Sequence, residues 1–230
     1  MKKIIVIIIT ILIILAILGL LISRYLFLPK KEKPKTDKKT IVCIGDSITY
    51  GSGVIMTRKK DAYPYILDNL LEEYEVLNYG YSGATAIFGG DQPYGQDLLN
   101  AAKDIKADIY IIMLGSNDSK AQNWNPAFYK NDITYIINQV KTKDNRVILL
   151  SPIIAFNEKG KDIAAFDIQP QIIKDEIQLI TQDVAKEKDI EYINLYPLFI
   201  DKQELLPDGV HPSAIGNKLI AETIKDYLNN

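Results

Sequence analysis

Cysteine and histidine occur once each in the 230 residues, as Cys43 and His211. A single thiol excludes an internal disulfide framework, and one thiol with one imidazole excludes a zinc site built from nitrogen and sulfur ligands. Most of the chain also lacks an excess of basic charge. Residues 1–40 hold nine Lys/Arg and two Asp/Glu, whereas residues 41–230 hold eighteen and twenty-seven. The larger part is therefore acidic, a poor match for nucleic acid, which needs clustered Lys and Arg. Residues 4–22 lack charge altogether, and Thr10 is their only hydroxyl.

What is present divides the chain in two. Nineteen uncharged residues at 1.5 Å rise make a helix of roughly 28 Å, about the thickness of a bilayer hydrocarbon core. Continued to Leu28, it lets Arg24 snorkel and places Tyr25 and Phe27 at the interface. After a three-residue tail (1–3), the expectation is a transmembrane helix or signal anchor over 4–28. A cleaved signal peptide fits less well, because the run exceeds the usual h-region of about 7–15 residues and no A-x-A-like site follows. A literal count of flanking Lys and Arg puts the following domain in the cytoplasm, but the short lysine-bearing start resembles an export n-region. An external domain on a single-pass cell-membrane anchor is the expected arrangement. Residues 29–40 (PKKEKPKTDKKT) hold two prolines, eight charges and no large apolar side chain, and read as an extended tether.

Residues 41–230 suit one domain with a sizeable core. Short apolar runs at 40–45, 74–79, 107–114, 146–151 and 190–195 read as buried strands. Amphipathic patterns at 62–73, 96–106, 126–141, 171–188 and 212–228 read as helices, several with proline near the start. Strand–helix alternation implies an α/β sandwich on a mostly parallel sheet. In such sheets ligands bind at the carboxyl ends of the strands.

Four polar clusters fall just past strand ends: Gly45-Asp46-Ser47-Ile48-Thr49, Asn78-Tyr79-Gly80-Tyr81-Ser82-Gly83, Gly115-Ser116-Asn117-Asp118 and Asp208-Gly209-Val210-His211-Pro212. Taken singly, each passes as a turn or helix cap. Together they offer the parts of serine-based acyl transfer. These are a nucleophile (Ser47), the only histidine as base (His211), and a carboxylate three residues before it to orient the ring (Asp208). The Ser47 and Gly80 N–H groups and the Asn117 amide are candidate oxyanion donors. The G-x-S-x-G elbow and the P-loop are absent. Cys43, inside the first strand, reads as a small buried hydrophobe.

The blocks GDSIT, NYGYSG, GSND and DGVHP resemble, in order and position, those of the SGNH (GDSL) hydrolase family, over 41 to about 228. The resemblance implies a flavodoxin-like three-layer α/β/α sandwich with a five-stranded, mostly parallel sheet. It also implies ester hydrolysis without metal or cofactor. Carried over residue by residue, it makes Ser47 the nucleophile, Gly80 and Asn117 oxyanion donors, and Asp208 and His211 the remaining pair. GSND replaces the commoner GTND, a change beside the asparagine. The run Ser119–Trp124 resembles members that act on acetylated sugars. Trp124, the only tryptophan, is a candidate to stack on a sugar or to pack under the loop. Tyr94 is a second candidate for the cleft. No long apolar lid is evident, so a short acyl group is favoured. The expected substrate is an O-acetylated cell-surface carbohydrate. A lysophospholipase or thioesterase, and an O-acetyltransferase working with a membrane partner, are the alternatives.

Overall fold

The computed structural model describes residues 2–27, 29 and 31–230, with side chains at Lys3, 7–19, Leu21, Pro29 and 31–230. Helix α1 covers Lys2–Phe27. The span expected over 4–28 falls partly on residues outside those described, Leu28 among them. Among the described residues no helix is long and apolar enough to cross a membrane.

Strand β1 (Lys39–Gly45) leads through α2 (Ser47–Tyr50), a 3₁₀ segment (52–57), α3 (Arg58–Asp61) and α4 (Tyr63–Leu70) to β2 (Tyr74–Gly80). Then come α5 (Gln96–Asp104), β3 (Ile109–Met113), α6 (Pro126–Val140) and β4 (Arg146–Leu150). A helix with a π turn follows: α7 (Pro170–Ile172), the π segment Ile173–Ile177 and α8 (Gln178–Glu187). Strand β5 (Glu191–Ile193) and helix α9 (Ala214–Leu228) complete the domain. The five strands lie in the order β2-β1-β3-β4-β5, all pairs parallel.

Alternation along the strands builds the layers. Val42 and Ile44 of β1, with Tyr110 and Ile112 of β3, face Leu99, Ile133, Ile137 and Val184 of α5, α6 and α8. Ile41 and Cys43, with Ile109 and Ile111, face Tyr63 and Leu67 of α4 and Ile220 and Ile224 of α9. Period-2 side chains thus give the central strands two buried faces, the reason they read as continuous apolar runs. Each fully buried Ile or Leu contributes about 1.5–3 kcal/mol. Cys43 is fully buried, and that burial pushes its thiol pKa up. The two halves of the second layer are latched by Asn217. Its Oδ1 accepts the Tyr63 N–H at 3.0 Å, and its Nδ2 donates to Pro212 O at 2.9 Å.

The tether expected at 29–40 differs from the structure. Among its described residues none lies in a helix or strand before Lys39, yet it is held against the edge strand β2. The Glu32 carboxylate accepts from Tyr65 Oη at 2.6 Å and from the Asn78 N–H at 2.9 Å. Tyr79 Oη donates to Glu32 O at 2.6 Å. Glu75 in turn accepts the N–H groups of Lys35 and Thr36, at 2.9 Å each, and the Thr36 hydroxyl at 2.7 Å. Composition argued for a free spacer because no apolar side chain is available. The docking instead gives an acceptor to one outward-facing N–H of the edge strand, that of Asn78, and adds contacts to the Tyr65 and Tyr79 hydroxyls and the Glu75 carboxylate.

Candidate active site

Strand β1 ends at Gly45, level with Gly80 of β2 and Met113 of β3. Immediately beyond, Asp46 caps α2, its Oδ1 accepting the Ile48 N–H at 2.9 Å. This cap starts a short helix whose first residue is Ser47, 6% exposed. Gly45 carries no side chain because a Cβ there would lie 2.0 Å from Thr49 Oγ1 and 2.7 Å from Met113 O. The close turn that aims Ser47 outward therefore excludes any larger residue.

The other half of the site arrives 161 residues later. The 208–212 turn follows β5, and Asp208 holds its own turn together. Its Oδ1 accepts the N–H groups of Val210 at 3.0 Å and His211 at 2.7 Å, while Oδ2 lies 2.7 Å from His211 Nδ1. Gly209, at φ +80°, makes the reversal; its carbonyl accepts the Phe156 N–H at 2.8 Å. His211 Nε2 then lies 2.9 Å from Ser47 Oγ. Burial of Asp208 opposes its ionisation, but bonds from the His211 ring and from the two N–H groups outweigh it and hold its carboxyl down to about 2. An ionised carboxylate on Nδ1 fixes the tautomer that leaves Nε2 free to accept the serine proton.

Ser47, Asn117, Asp208 and His211 all line one cavity of about 280 Å³. A larger cleft of about 410 Å³, lined by Lys103, Asp108 and Asn145 among others, lies at the amino ends of β3 and β4 and holds no nucleophile–base pair. Among the described residues, no group of three His, Cys, Asp or Glu side chains could hold a metal ion.

Asn117 sits in the 3₁₀ turn Asn117–Ser119 after β3. Its Nδ2 donates to Ala84 O at 3.1 Å, which fixes the amide and leaves one N–H for the cavity. The facing loop is stitched to this turn by Asp118. Its carboxylate accepts the N–H groups of Ala86 and Ile87 at 3.0 and 2.8 Å, and burial pushes its pKa up to about 7. Asp46 is likewise fully buried, and burial pushes it up to about 6.

Gly80 is placed differently from expectation. Its N–H donates to Asn78 Oδ1 at 2.9 Å, and it does not line the cavity. A Cβ on Gly80 would lie 2.2 Å from Tyr50 N. The position is glycine because α2 packs directly on the strand end there, and its N–H is already engaged. Gly83, three residues on, lines the cavity at φ +83°, and among the described residues its N–H meets no acceptor. The block NYGYSG contains both glycines, so the available signal was a second Gly whose N–H the turn leaves free.

Tyr94 and Trp124 also lie away from the cavity. Tyr94 is fully buried, its hydroxyl donating to Tyr79 O at 2.7 Å. Trp124 packs on the core beside Tyr129, ring centroids 5.7 Å apart. Both aromatics serve packing, which burial of such large rings favours.

The lining is completed by Ser52 and Ser82, with hydroxyls 3.1 Å apart, Ser116, Lys120, Phe166, Ile168 and Val210. Lys120 is paired with Asp91 at 3.0 Å. Phe166 is the unusual one. Its ring stands edge-on to that of His211, with centroids 5.0 Å apart and planes at 65°. Phe166 and Asp167 both have positive φ, +62° and +61°, a conformation that costs about 1–2 kcal/mol for each non-glycine residue.

Comparison with known proteins adds the following. The GDSL-like Lipase/Acylhydrolase family model matches residues 43–219. An acetylxylan esterase of Xylanibacter ruminicola is 33% identical over 216 residues, covering 83% of this chain and 43% of that protein. The chain thus spans under half the length of that relative. Among solved structures, a lipase/acylhydrolase from Enterococcus faecalis superposes with TM-score 0.62 at 26% identity, covering 83% of this chain and 95% of the other. Est24, a carbohydrate acetylesterase from Sinorhizobium meliloti, superposes with TM-score 0.65 at 20% identity, covering 84% and 99%, which shows a shared fold.

Proposed function

The chain belongs to the GDSL-like lipase/acylhydrolase family, and we propose that it is a carboxylic ester hydrolase that removes short acyl groups, chiefly acetyl, from O-acetylated carbohydrate. The observation that carries the reading is the Ser47–His211–Asp208 chain of contacts, 2.9 and 2.7 Å long. His211 Nε2 takes the Ser47 proton as Oγ attacks the ester carbonyl. The tetrahedral oxyanion is met by the Ser47 N–H, the Gly83 N–H and the free N–H of the Asn117 amide. Asp208 stabilises the imidazolium. His211 then protonates the leaving alcohol, and water, activated by the same ring, releases the acid from Ser47. The cavity of about 280 Å³ favours a short acyl chain, and the likeness to acetylxylan and carbohydrate acetylesterases favours a sugar as the alcohol.

The proposal extends to place. Helix α1 exposes the Ile and Leu side chains from Ile7 to Leu18, and that of Leu21, at more than half of their surface, an apolar surface that a bilayer satisfies. A single-pass anchor with the catalytic domain outside the cell fits that surface. Recovery of the full chain from membranes only with detergent is the expected result; release by carbonate alone would remove the anchor.

The decisive test for chemistry uses full-length protein and its Ser47→Ala variant on p-nitrophenyl acetate, butyrate and decanoate. Turnover that requires Ser47 and falls steeply with chain length is expected. A preference for decanoate would move the reading to a lipid acyl ester. Equal turnover by Ser47→Ala would remove Ser47 as nucleophile.

A further inference from the structure

We infer that Phe166 is the wall against which the leaving alcohol rests, and so a determinant of which alcohols the enzyme accepts. The inference rests on the hydrolase reading above and deepens it.

The chemistry fixes where the alcohol must be. In ester hydrolysis the departing oxygen takes its proton from the base that first received the serine proton, so it lies within about 3 Å of that nitrogen. Here the nitrogen is His211 Nε2. The N–H donors for the oxyanion come from the turns after β2 and β3, at Gly83 and Asn117, so the carbonyl oxygen points toward those turns. The group attached to the departing oxygen is left beside His211. The side chain in contact with the His211 ring there is Phe166, at 5.0 Å between centroids.

Phe166 is also built for contact with something outside the fold. Its neighbours Ala164 and Ile168 are 2% and 1% exposed, and the Ala164 N–H donates to Ile168 O at 2.9 Å, closing the loop. The next residue ties the loop to the Asn117 turn, where the Gln169 N–H and Nε2 donate to Ser119 Oγ and O at 3.0 and 2.7 Å. Between these anchors Phe166 is 57% exposed on a left-handed backbone that no core contact of its side chain repays. An apolar ring anchored in the cavity wall in this way leaves more than half of its surface open to a substrate. The C–H-rich face of a pyranose ring, with its slight positive charge, complements the negative face of an aromatic.

The test compares ratios of kcat/KM in the wild type, Phe166→Ala, Phe166→Leu and Phe166→Trp. Two ratios are measured: acetylated xylo-oligosaccharide over vinyl acetate, which varies the alcohol, and vinyl butyrate over vinyl acetate, which varies the acyl chain. The expected result is a roughly three- to tenfold fall in the alcohol ratio for Ala and Leu, with Trp retaining it and the acyl ratio constant. A change in the acyl ratio would assign Phe166 to the acyl side and overturn the inference. An equal fall on all three substrates would mean that Phe166 only steadies His211, and would overturn it too. Wild-type protein inert toward every acetate would fail the hydrolase reading, and the inference with it. The Trp variant separates loss of the aromatic face from loss of the fold.

Discussion

Asp208 grips His211 twice, at the ring through Oδ2 and at the backbone N–H through Oδ1, both at 2.7 Å. The orienting carboxylate and the base therefore form one four-residue unit. Asp208→Asn keeps the shape but loses the charge that selects the tautomer, and kcat is expected to fall by about 10³–10⁴ with KM little changed. The carboxyl is held down to about 2, so it contributes stability at neutral pH that is lost as pH falls from the ordinary carboxylate range near 4 through 2. Chemical denaturation of the two proteins should differ at pH 6 and converge near pH 2. A gap that persists at pH 2 would contradict the assignment.

Asp46 and Asp118 have the opposite sign. Burial raises both, to about 6 and about 7, so the folded protein binds their protons more tightly than the unfolded chain does. Stability they contribute is full at pH 4 and below and declines as pH rises through 6 and 7. The thermal midpoint is expected to fall between pH 5 and pH 8, and to fall less in Asp46→Asn, which keeps the helix cap without the charge. A steeper fall in the variant than in the wild type would refute this.

Gly80 and Asn117 should fail in different ways. Gly80→Ala drives a methyl into Tyr50 N, 2.2 Å away, and is expected to cost at least about 1–3 kcal/mol in denaturant unfolding. Asn117→Ala loses a bond to Ala84 O, worth about 1 kcal/mol, but should lower kcat by about 10²–10³. If Gly80→Ala folds normally and loses only kcat, the oxyanion role returns to Gly80.

Tyr94→Phe and Trp124→Phe should leave KM for acetylated sugar unchanged. Tyr94→Phe removes a buried bond to Tyr79 O and should cost about 1 kcal/mol in unfolding. A KM change in either variant, with stability intact, would bring those rings back to the substrate.

The sheet and the five long helices packed on its two faces were readable because the central strands are apolar at both parities and each helix shows a 3.6-residue stripe. Ser47, Asn117, Asp208 and His211 were readable because their blocks fall at strand ends. Gly80 misled because a glycine's residue type does not reveal whether its N–H is already spent, here on Asn78 Oδ1. Tyr94 and Trp124 misled because aromatic type is equally suited to a core. Phe166 was missed because its significance lies in a positive φ and in a contact with a residue 45 positions away. The docking of Glu32 escaped notice because it satisfies an edge-strand N–H, that of Asn78, which only the sheet order makes available. The π turn at Ile173–Ile177 has no composition signal in an otherwise regular helical stripe.

Ser47 follows the first strand and His211 precedes the last helix, 164 residues later. A ribosome making this protein therefore finishes the nucleophile long before the base exists. Until the 208–211 turn has emerged and α9 has settled beside α4 through Asn217, a partly made or truncated chain holds an inert serine. Hydrolytic competence is thereby a late event in the protein's synthesis, and its onset reports that the whole domain has closed.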